Sequence, residues 1–285
     1  MSRDRQVGRV GQLSRYPVKS MLGEDLDQAY VDEAGIAGDR TFAVLDCLTG
    51  KVASAKNPRL WREMLTVRST LTPPDSTGAP AVRLTLADGT TETVTVTGYR
   101  DPALSMLLGR DVRLLDRAAP HTSIERMDPD QVRTDDDLRS AETVSSELAT
   151  GSPPGTFFDF APLHLITTAT LAALTDHLGR PVHSQRFRPN IVVEVPDPGA
   201  GFVENLWPGR RLRIGTDVVA EVVIATPRCV IPALRHGDGE PDVALLQVLS
   251  RHNRLPAVGS LPCAGVYARP LEFGVIRSGD PVELC

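Results

Sequence analysis

The sequence is poor in cysteine, with four in 285 residues, at positions 47, 229, 263 and 285. No two of them stand in a C-x-x-C or C-x-x-C-H arrangement, and the spacings that hold ferredoxin clusters are absent. The sequence therefore predicts no iron–sulfur cluster within this chain. Disulfide bonds are not expected either, because the thiols of cytoplasmic proteins stay reduced. Cys47 and Cys285 are interpreted as incidental, and Cys263 as structural.

An excess of positive charge is also lacking, since 31 lysines and arginines face 36 acidic residues and the formal net charge is −5. Nucleic acids and anionic membranes attract proteins with a basic face, so neither is expected as a partner. The first residues contain no apolar signal core, and no segment approaches the roughly 18 apolar residues of a membrane span. These features predict a cytoplasmic protein in which any bound anion is held by a local cluster of cations.

The common nucleotide and hydrolase signatures are missing as well. Residues 198–201 read P-G-A-G, which lacks the third glycine and the strand–helix setting of a dinucleotide site. Neither a P-loop nor a G-x-S-x-G elbow occurs. The histidines are scattered without the spacing of a zinc site, and nothing in the sequence proposes a hydrolytic triad.

The stretch 218–232, VVAEVVIATPRCVIP, carries the first positive signal. It begins as an apolar run rich in β-branched residues, which predicts a strand buried largely on both faces. The strand is expected to break at Pro227, leaving Arg228 and Cys229 in the loop that follows. A guanidinium beside a thiol favours the thiolate, the form that attacks and that binds metals. The alternative is that Cys229 is a small core side chain, since unpaired cysteines are among the most buried residues.

Short strands joined by turns dominate the rest of the chain. Asp88-Gly89 joins two alternating runs and predicts a hairpin. Asp101 and Gly109 bracket a short helix as N-cap and closing residue, and a second helix is expected to begin at Thr167 or Thr168. Strands outnumber helices and do not alternate with them. We therefore predict a mainly β, antiparallel barrel-like architecture with a few helices.

Residues 118–155 are polar, charged and proline-bearing, without sustained apolar periodicity. That composition predicts a linker or mobile loop between two units. We therefore expect an N-terminal domain at residues 5–117, a linker or mobile loop at 118–144 and a C-terminal domain at 145–285. The acidic run Asp135–Asp137 is interpreted as a solvated face.

Two groups of polar residues stand at the ends of predicted strands. Lys19 and Ser20 follow a proline turn, and Arg40 follows a glycine turn. A lysine, a hydroxyl and an arginine in such positions suit a phosphate or another dianion, although two such cations taken alone are usually surface residues. Arg188 and Asn190 flank a proline just ahead of another buried strand, and that proline disfavours helical geometry at Arg188.

Together with TPRC around Cys229, these pieces resemble a known family. The motifs occur in register from about residue 6 to 284, as YPVKS, GIAGDR, KNPRL, LHLITTATLAAL, QRFRPNIVV, TPRC and the closing GVYA with GVIRSGDPVEL. They resemble the MOSC domain with its N-terminal β-barrel companion, and are similar to the amidoxime-reducing components and their bacterial relatives. The resemblance implies an N-terminal β-barrel-like domain and a C-terminal MOSC β-barrel. It also implies a molybdenum cofactor, in which the dithiolene of molybdopterin holds the metal, and reduction of N-hydroxylated compounds.

The resemblance also assigns residues. Cys229 matches the catalytic cysteine that ligates the molybdenum, in line with the softness of a thiolate ligand. The implied cofactor-binding residues are Lys19, Ser20, Arg40, Arg188, Asn190, Thr168 and Arg228. The first three match residues that hold the cofactor phosphate, and Arg188 and Asn190 match pocket residues beside the pterin and the metal.

Two departures from the relatives bear on the site. Thr168 stands where relatives often have an acidic residue, although a helix N-terminus at Thr167–Thr168 would offer backbone donors to an oxyanion. After Cys229, relatives continue with threonines and an aspartate–proline turn, whereas this chain reads VIPALRHGDGEP. Groups on the substrate side are therefore expected to differ.

Three functions remain open at this point. The first is a molybdenum-dependent oxidoreductase that acts on a small N-hydroxylated substrate. Its electrons would come from a separate protein, a ferredoxin- or cytochrome b5-like carrier with a flavin reductase, because no ferredoxin domain follows in this sequence. The second is a sulfur carrier or sulfurtransferase with a persulfide on Cys229 and no metal. The third is a non-catalytic carrier of the cofactor. A persulfide carrier without a metal has no need of a phosphate site, so the presence of Lys19, Ser20 and Arg40 favours the functions that bind the cofactor.

Overall fold

The computed structural model describes residues 5–132, 134–140, 142–148 and 151–285. Their strands are β1 (Arg5–Arg15), β2 (Glu24–Leu26), β3 (Gln28–Asp32), β4 (Gly35–Ile36), β5 (Ala43–Asp46), β6 (Arg68–Leu71), β7 (Ala81–Thr85), β8 (Thr91–Thr95), β9 (Val112–Leu115), β10 (Ser123–Met127), β11 (Thr143–Glu147), β12 (Leu163–Thr167), β13 (Ile191–Glu194), β14 (Arg211–Ile214), β15 (Val218–Pro227), β16 (Arg254–Leu255), β17 (Leu261–Glu272), β18 (Gly274–Arg277) and β19 (Pro281–Leu284). The α-helices are α1 (Pro58–Trp61), α2 (Pro102–Leu108), α3 (Asp137–Ser140), α4 (Thr168–Leu178) and α5 (Val243–His252). Short 3-10 helices cover Arg62–Thr66, Pro129–Gln131, Ser184–Phe187, Pro198–Ala200, Val203–Leu206, Ile231–Ala233 and Pro256–Val258. Within these ranges, no helix combines the length and apolarity that a membrane crossing requires.

Seven of the strands close into a barrel, in the order β12–β13–β1–β19–β14–β15–β17, with β17 pairing back to β12. The mainly β fold expected from the sequence is confirmed. Most neighbours are antiparallel, but β12 and β13 are parallel because α4 crosses between them. The expected antiparallel barrel therefore has one βαβ crossover. Apolar side chains from the strands fill its interior, among them Leu13, Leu165, Ile191 and Val266.

The first strand of the chain belongs to this barrel. β1 pairs with β13, where Leu13 lies opposite Ile191, and with β19, where Arg5 lies opposite Leu284. β3 likewise pairs with β18. Residues 5–36 therefore differ from the expected N-terminal domain at 5–117, because their backbone hydrogen bonds are made with strands near the C-terminus.

The chain between residues 42 and 115 builds a second unit around its own apolar core. Sheets β6–β7–β8 and β5–β9 pack with α2 over buried side chains that include Phe42, Trp61 and Leu114. The predicted hairpin at Asp88-Gly89 joins β7 to β8, and α2 begins after Asp101, whose carboxylate accepts from the backbone N–H of Leu104. Local signals in the sequence were therefore sufficient for these elements.

The stretch 118–144, expected to be a linker or mobile loop, contains regular structure. β10 pairs with β11 along its whole length, and its Ile124 and Met127 are buried. Met127 packs in a third apolar cluster with Val230 and Leu234, directly after Cys229 in the chain. The predicted linker therefore contains a hairpin that its sequence does not signal, because β11 is polar and has no buried residue. Residues 133 and 141 lie outside the described residues.

Candidate cofactor and active site

A cavity of about 310 Å³ lies where the end of β15 meets the β10–β11 hairpin and the turn that carries Arg40. Its lining includes four of the predicted site residues, namely Arg40, Arg188, Arg228 and Cys229. An adjoining cavity of about 40 Å³ shares two of these residues and adds Lys19, Ser20 and Asn190. The fold thus brings together all of the predicted site residues except Thr168.

Thr168 lies at the start of α4 and lines neither cavity. Its hydroxyl accepts a hydrogen bond from the backbone N–H of Val195. The helix start also fails to provide the expected oxyanion site, because the buried Glu204 carboxylate accepts from the hydroxyls of Thr167 and Thr170 at 2.7 and 2.6 Å. Burial raises the pKa of Glu204, although these hydrogen bonds oppose the shift. Thr168 therefore lies apart from the other predicted site residues, at a helix start where an internal carboxylate accepts from two hydroxyls.

Three predicted site residues adopt left-handed backbone conformations. The φ angles are 63° at Ser20, 47° at Arg40 and 54° at Arg188. Such conformations cost non-glycine residues about 1–3 kcal/mol each and cluster at functional sites. Pro189 keeps Arg188 out of the right-handed helical conformation, as expected. Arg188 is the C-cap of a 3-10 helix and has left-handed rather than extended geometry. Retaining side chains at these positions indicates that their polar groups are needed.

A fully buried carboxylate fixes Arg40 beside the barrel. Asp39 accepts from the backbone N–H of Tyr16 at 2.7 Å, from Asn190 Nδ2 at 2.9 Å and from the Arg40 guanidinium. Asn190 also accepts from the backbone N–H of His164 at 3.1 Å. The amide of Asn190 is therefore committed to the protein, and the residue shapes the site by holding Asp39.

The ring of Tyr16 holds two guanidinium groups together. The guanidinium carbons of Arg40 and Arg188 lie 4.6 and 4.4 Å from its centroid. Arg40 donates to the Arg188 carbonyl at 3.1 Å, and Arg188 donates to the Met21 carbonyl. Burial, and then repulsion from Arg40, lowers the pKa of Arg188 to about 10. These cation–π contacts and hydrogen bonds thus hold two like charges next to each other in a buried site.

Lys19 lies in a second group of charges with Lys56 and Asp159. Its ammonium donates to Asp159 Oδ1 at 2.6 Å and to the Phe157 carbonyl at 3.0 Å, and Lys56 lies 3.0 Å from the same carboxylate oxygen. Burial lowers the pKa of Lys19 to about 8, although Asp159 opposes the shift. Burial alone would raise the pKa of Asp159, but the two lysines hold it well below its usual range. The carboxylate therefore stays ionised between two cations.

Cys229 lies two residues beyond the end of β15, where the sequence predicts it. Its side chain is half-buried at the edge of the third apolar cluster and reaches the larger cavity. The neighbouring Arg228 is committed elsewhere, because its guanidinium donates to the carbonyls of Ala264 and Phe187 and contacts His164. Arg228 therefore anchors the turn to β17, and its charge also interacts with Cys229. Its charge still lies in the cavity wall.

The segment after Cys229 is held by Arg186. This guanidinium donates to the carbonyls of Pro232, Leu234 and Glu240 at 3.0, 3.1 and 2.6 Å. The unusual sequence VIPALRHGDGEP therefore forms an ordered wall beside the cavity, with Ile231 and Pro232 in the lining. The apolar side chains of this wall line the part of the cavity in which the side chains are expected to differ from those of relatives.

Several residues of the site were not singled out from the sequence, namely Lys56, Arg126, Asp159, His164 and Tyr267. Three of them lie within motifs that carry the family resemblance, since KNPRL contains Lys56, LHLITT contains His164 and GVYA contains Tyr267. That signal was available in the sequence. Arg126 and Asp159 lie in or near the polar stretch that predicts a linker, and no local pattern indicates their position in the fold.

The other cysteines lie apart from the lining of the larger cavity. Cys263 is buried in β17, and its thiol donates to the Leu261 carbonyl at 3.3 Å. Burial raises the pKa of Cys263 to about 11, which disfavours a nucleophilic thiolate. Cys47 is exposed in the turn that directly follows β5.

The residues around the two cavities fit the molybdenum cofactor that the resemblance implies. The cations around the two cavities include the buried Lys19, Lys56 and Arg188 and the partly buried Arg40, whereas the carboxylates among them are the buried Asp39 and the partly buried Asp159. This buried positive excess suits an anionic group such as a phosphate. Among the described residues, no cluster of three or more histidine, cysteine or acidic side chains could hold a metal ion. A metal beside Cys229 would therefore need further ligands from a non-protein group, as a dithiolene supplies.

Comparison with known proteins agrees with this arrangement. Residues 153–283 match the MOSC domain family, and residues 7–107 match the MOSC N-terminal beta barrel domain family. A match at 35% identity to mitochondrial amidoxime reducing component 2 of Rattus norvegicus covers 44% of this chain and 37% of that protein. A match at 28% identity to mitochondrial amidoxime-reducing component 1 of Mus musculus covers 98% of this chain and 83% of that protein.

Among solved structures, the YUAD protein from Bacillus subtilis is similar at a TM-score of 0.43 and 12% identity, over 98% of this chain and 96% of that one. The two family matches follow one another in the order that the sequence motifs predict. The protein is a homologue of the amidoxime-reducing components and belongs to the MOSC domain family, with a MOSC N-terminal beta barrel domain preceding its MOSC domain.

Proposed function

We propose that the protein binds the molybdenum cofactor and reduces N-hydroxylated compounds with electrons from a separate redox protein. The observation that carries the proposal is the convergence of Cys229, Arg40 and Arg188 on one cavity, with Lys19 and Ser20 on the adjoining one. The names of the relatives, amidoxime-reducing components, supply the substrate class. A ferredoxin- or cytochrome b5-like carrier with a flavin reductase is the proposed electron source.

The residues divide into those that would contact the cofactor and those that position them. Lys19, Arg40 and Ser20 would hold the phosphate; the Ser20 hydroxyl accepts from the Ala55 N–H at 3.1 Å, so its proton remains available to donate. Arg188 would lie beside the pterin. Asn190 acts through Asp39, because its amide is already committed.

When bound, the cofactor supplies a metal at which an N–O bond accepts two electrons, with two protons, to give the N–H product and water. Cys229 would provide one soft sulfur ligand from the protein. The apolar wall formed by Ile231 and Pro232 would exclude water from the thiolate side of the cavity. The chain thus contributes anchoring, orientation and a dry surface around the reacting atoms.

A sulfur carrier with a persulfide on Cys229 gains no support from this arrangement. A persulfide needs neither a phosphate site nor the adjacent buried guanidinium groups of Arg40 and Arg188, which are costly to maintain. A non-catalytic cofactor carrier would use the same residues as the enzyme, and turnover distinguishes the two.

The test is the molybdenum content and activity of protein produced in a cofactor-producing host. We expect near-stoichiometric metal by elemental mass spectrometry, pterin in the extract and reduction of benzamidoxime when a chemical reductant supplies electrons. A Lys19→Ala/Arg40→Ala variant is expected to lose both pterin and metal, because two phosphate-binding cations are gone. Arg9→Ala, which removes an exposed arginine paired with Glu194, is the matched control and is expected to retain both.

Metal- and pterin-free wild-type protein with a persulfide on Cys229 would overturn the proposal in favour of sulfur transfer. Loaded protein that reduces no N-hydroxylated compound would instead leave the carrier function.

The buried lysine makes anion binding sensitive to pH. Because burial lowers the pKa of Lys19 to about 8, its protonated fraction falls from about nine tenths at pH 7 to about one tenth at pH 9. Sulfate keeps two charges over this range and is a suitable phosphate mimic. We expect calorimetry on cofactor-free protein to show sulfate affinity falling about tenfold between these pH values. Lys19→Arg should remove the dependence, and an unchanged wild-type affinity would contradict the role of Lys19.

A further inference from the structure

One cation in the larger cavity has no side-chain partner among the residues that the structure describes. Through its guanidinium, Arg126 makes no hydrogen bond or ion pair with any residue that the structure describes, although it is half-buried and lines the cavity. The other cations in the lining each have at least one such contact, namely Arg40 with Asp39, Lys56 with Asp159, Arg186 with Pro232, Arg188 with Met21 and Arg228 with Ala264. Arg126 therefore retains its full donor capacity for a ligand.

Of the acidic residues on the hairpin that carries Arg126, Glu125 lies outside the lining of the larger cavity, whereas Glu147 belongs to it. Glu125 accepts from Lys51 and Asn57 at 2.8 Å each, and Glu147 lies 3.2 Å from His121 at the rim. The remaining acid of the cavity, Asp159, lies between Lys19 and Lys56. None of these described carboxylates thus pairs with Arg126, and the charge of Arg126 repels that of Lys56. A half-buried guanidinium in this position favours an anionic ligand.

Arg126 lies outside the lining of the smaller cavity, where the proposed phosphate anchors are found. Lys19 and Ser20 line the smaller cavity, whose walls do not include Arg126. Arg126 instead shares the larger cavity with Cys229 and with apolar side chains, among them Ile224 and Leu261. This combination fits a molecule with an apolar body and an acidic end, held within the same cavity as the thiol.

We propose that Arg126 binds a carboxylate on the substrate and so selects N-hydroxylated compounds that carry an acidic group at one end of an apolar body. The proposal rests on the proposed reductase function and adds a substrate class to it. The planar guanidinium would pair with both carboxylate oxygens, a geometry that a lysine cannot reproduce. Arg126 is thus a specificity-determining residue.

The experiment compares 4-carboxybenzamidoxime with benzamidoxime on the cofactor-loaded protein. We expect the wild type to favour the acid by about tenfold or more in kcat/KM, the range for a charged hydrogen-bonded pair. Arg126→Gln should abolish this preference, chiefly by raising KM of the acid more than KM of the neutral compound. Arg126→Lys should restore part of it, and Arg9→Gln, at an exposed site, should have no effect.

Calorimetry with benzoate and benzamide on the same proteins separates this inference from the reductase function. Benzoate binding that is lost in Arg126→Gln, without turnover of either amidoxime, would support the anion site and overturn the reductase proposal. The role of Arg126 would be overturned if the wild type turned over both amidoximes without preferring the acid and if benzoate bound equally to wild type and Arg126→Gln. That result would leave the reductase function standing.

Discussion

Replacing Cys229 with alanine is expected to lower bound molybdenum and amidoxime reduction by more than about a hundredfold, since even the outer partners of metal ligands cost roughly 10- to 100-fold. The thiol is the soft ligand that the larger cavity offers, so its loss removes the protein's bond to the metal. The fold should persist, because a half-buried cysteine at the edge of an apolar cluster contributes little to packing. Elemental mass spectrometry, turnover with a chemical reductant and circular dichroism measure the three effects.

The matched control is Cys263→Ala, which removes a buried thiol outside the lining of the larger cavity. This variant should retain the metal and the activity. Full molybdenum occupancy in Cys229→Ala, or an equal loss in both variants, would show that the metal does not depend on the thiol of Cys229.

Asp39→Ala is expected to lower the free energy of unfolding by about 3–5 kcal/mol, the cost of leaving a buried charge without its partner. The carboxylate of Asp39 is fully buried and accepts from Tyr16, Asn190 and Arg40. Without it, Arg40 and Arg188 would remain together at the Tyr16 ring without the carboxylate that pairs with Arg40. Urea denaturation of the cofactor-free protein measures the loss.

Asp46→Ala provides the comparison for that experiment. Asp46 is also buried and pairs with Arg110, but Arg110 is 26% exposed and can turn to water. We expect a loss of about 1–2 kcal/mol there, in the range of a lost hydrogen-bonded partner. Equal losses in the two variants would mean that the buried pair at Asp39 has no special weight in stability.

The elements that the sequence predicted well depend on neighbouring residues. β15 ends at Pro227 because a β-branched run meets a residue that cannot continue the ladder. α2 and α4 begin at Asp101 and Thr167, whose side chains accept from backbone N–H groups three residues ahead. α5 begins at Val243, directly after Asp242, whose side chain accepts from the backbone N–H of Leu245. Such signals lie within a few residues and can be read directly.

The contacts that complete the site join distant parts of the chain. Lys19 meets Asp159 across 140 residues, and Arg40 meets the Arg188 carbonyl across 148. No local pattern predicts that the guanidinium of Arg228 donates to the Ala264 carbonyl, because the direction of a long side chain depends on the packing of the folded protein. The motifs identified the neighbourhood of Lys19, Arg40 and Cys229, and the fold supplied their partners.

The position of β1 has a consequence for the order in which the protein becomes functional. Its partners β13 and β19 are synthesised much later, so the hydrogen bonds of β1 can form only after those two strands have been made. Contacts of such separation make folding slow and leave strand edges open to other chains in the meantime. Tyr16, directly after this strand, contacts both Arg40 and Arg188, so the charged site cannot form on a nascent N-terminal half. The charged site around Tyr16 is therefore completed only after Arg188 has been synthesised.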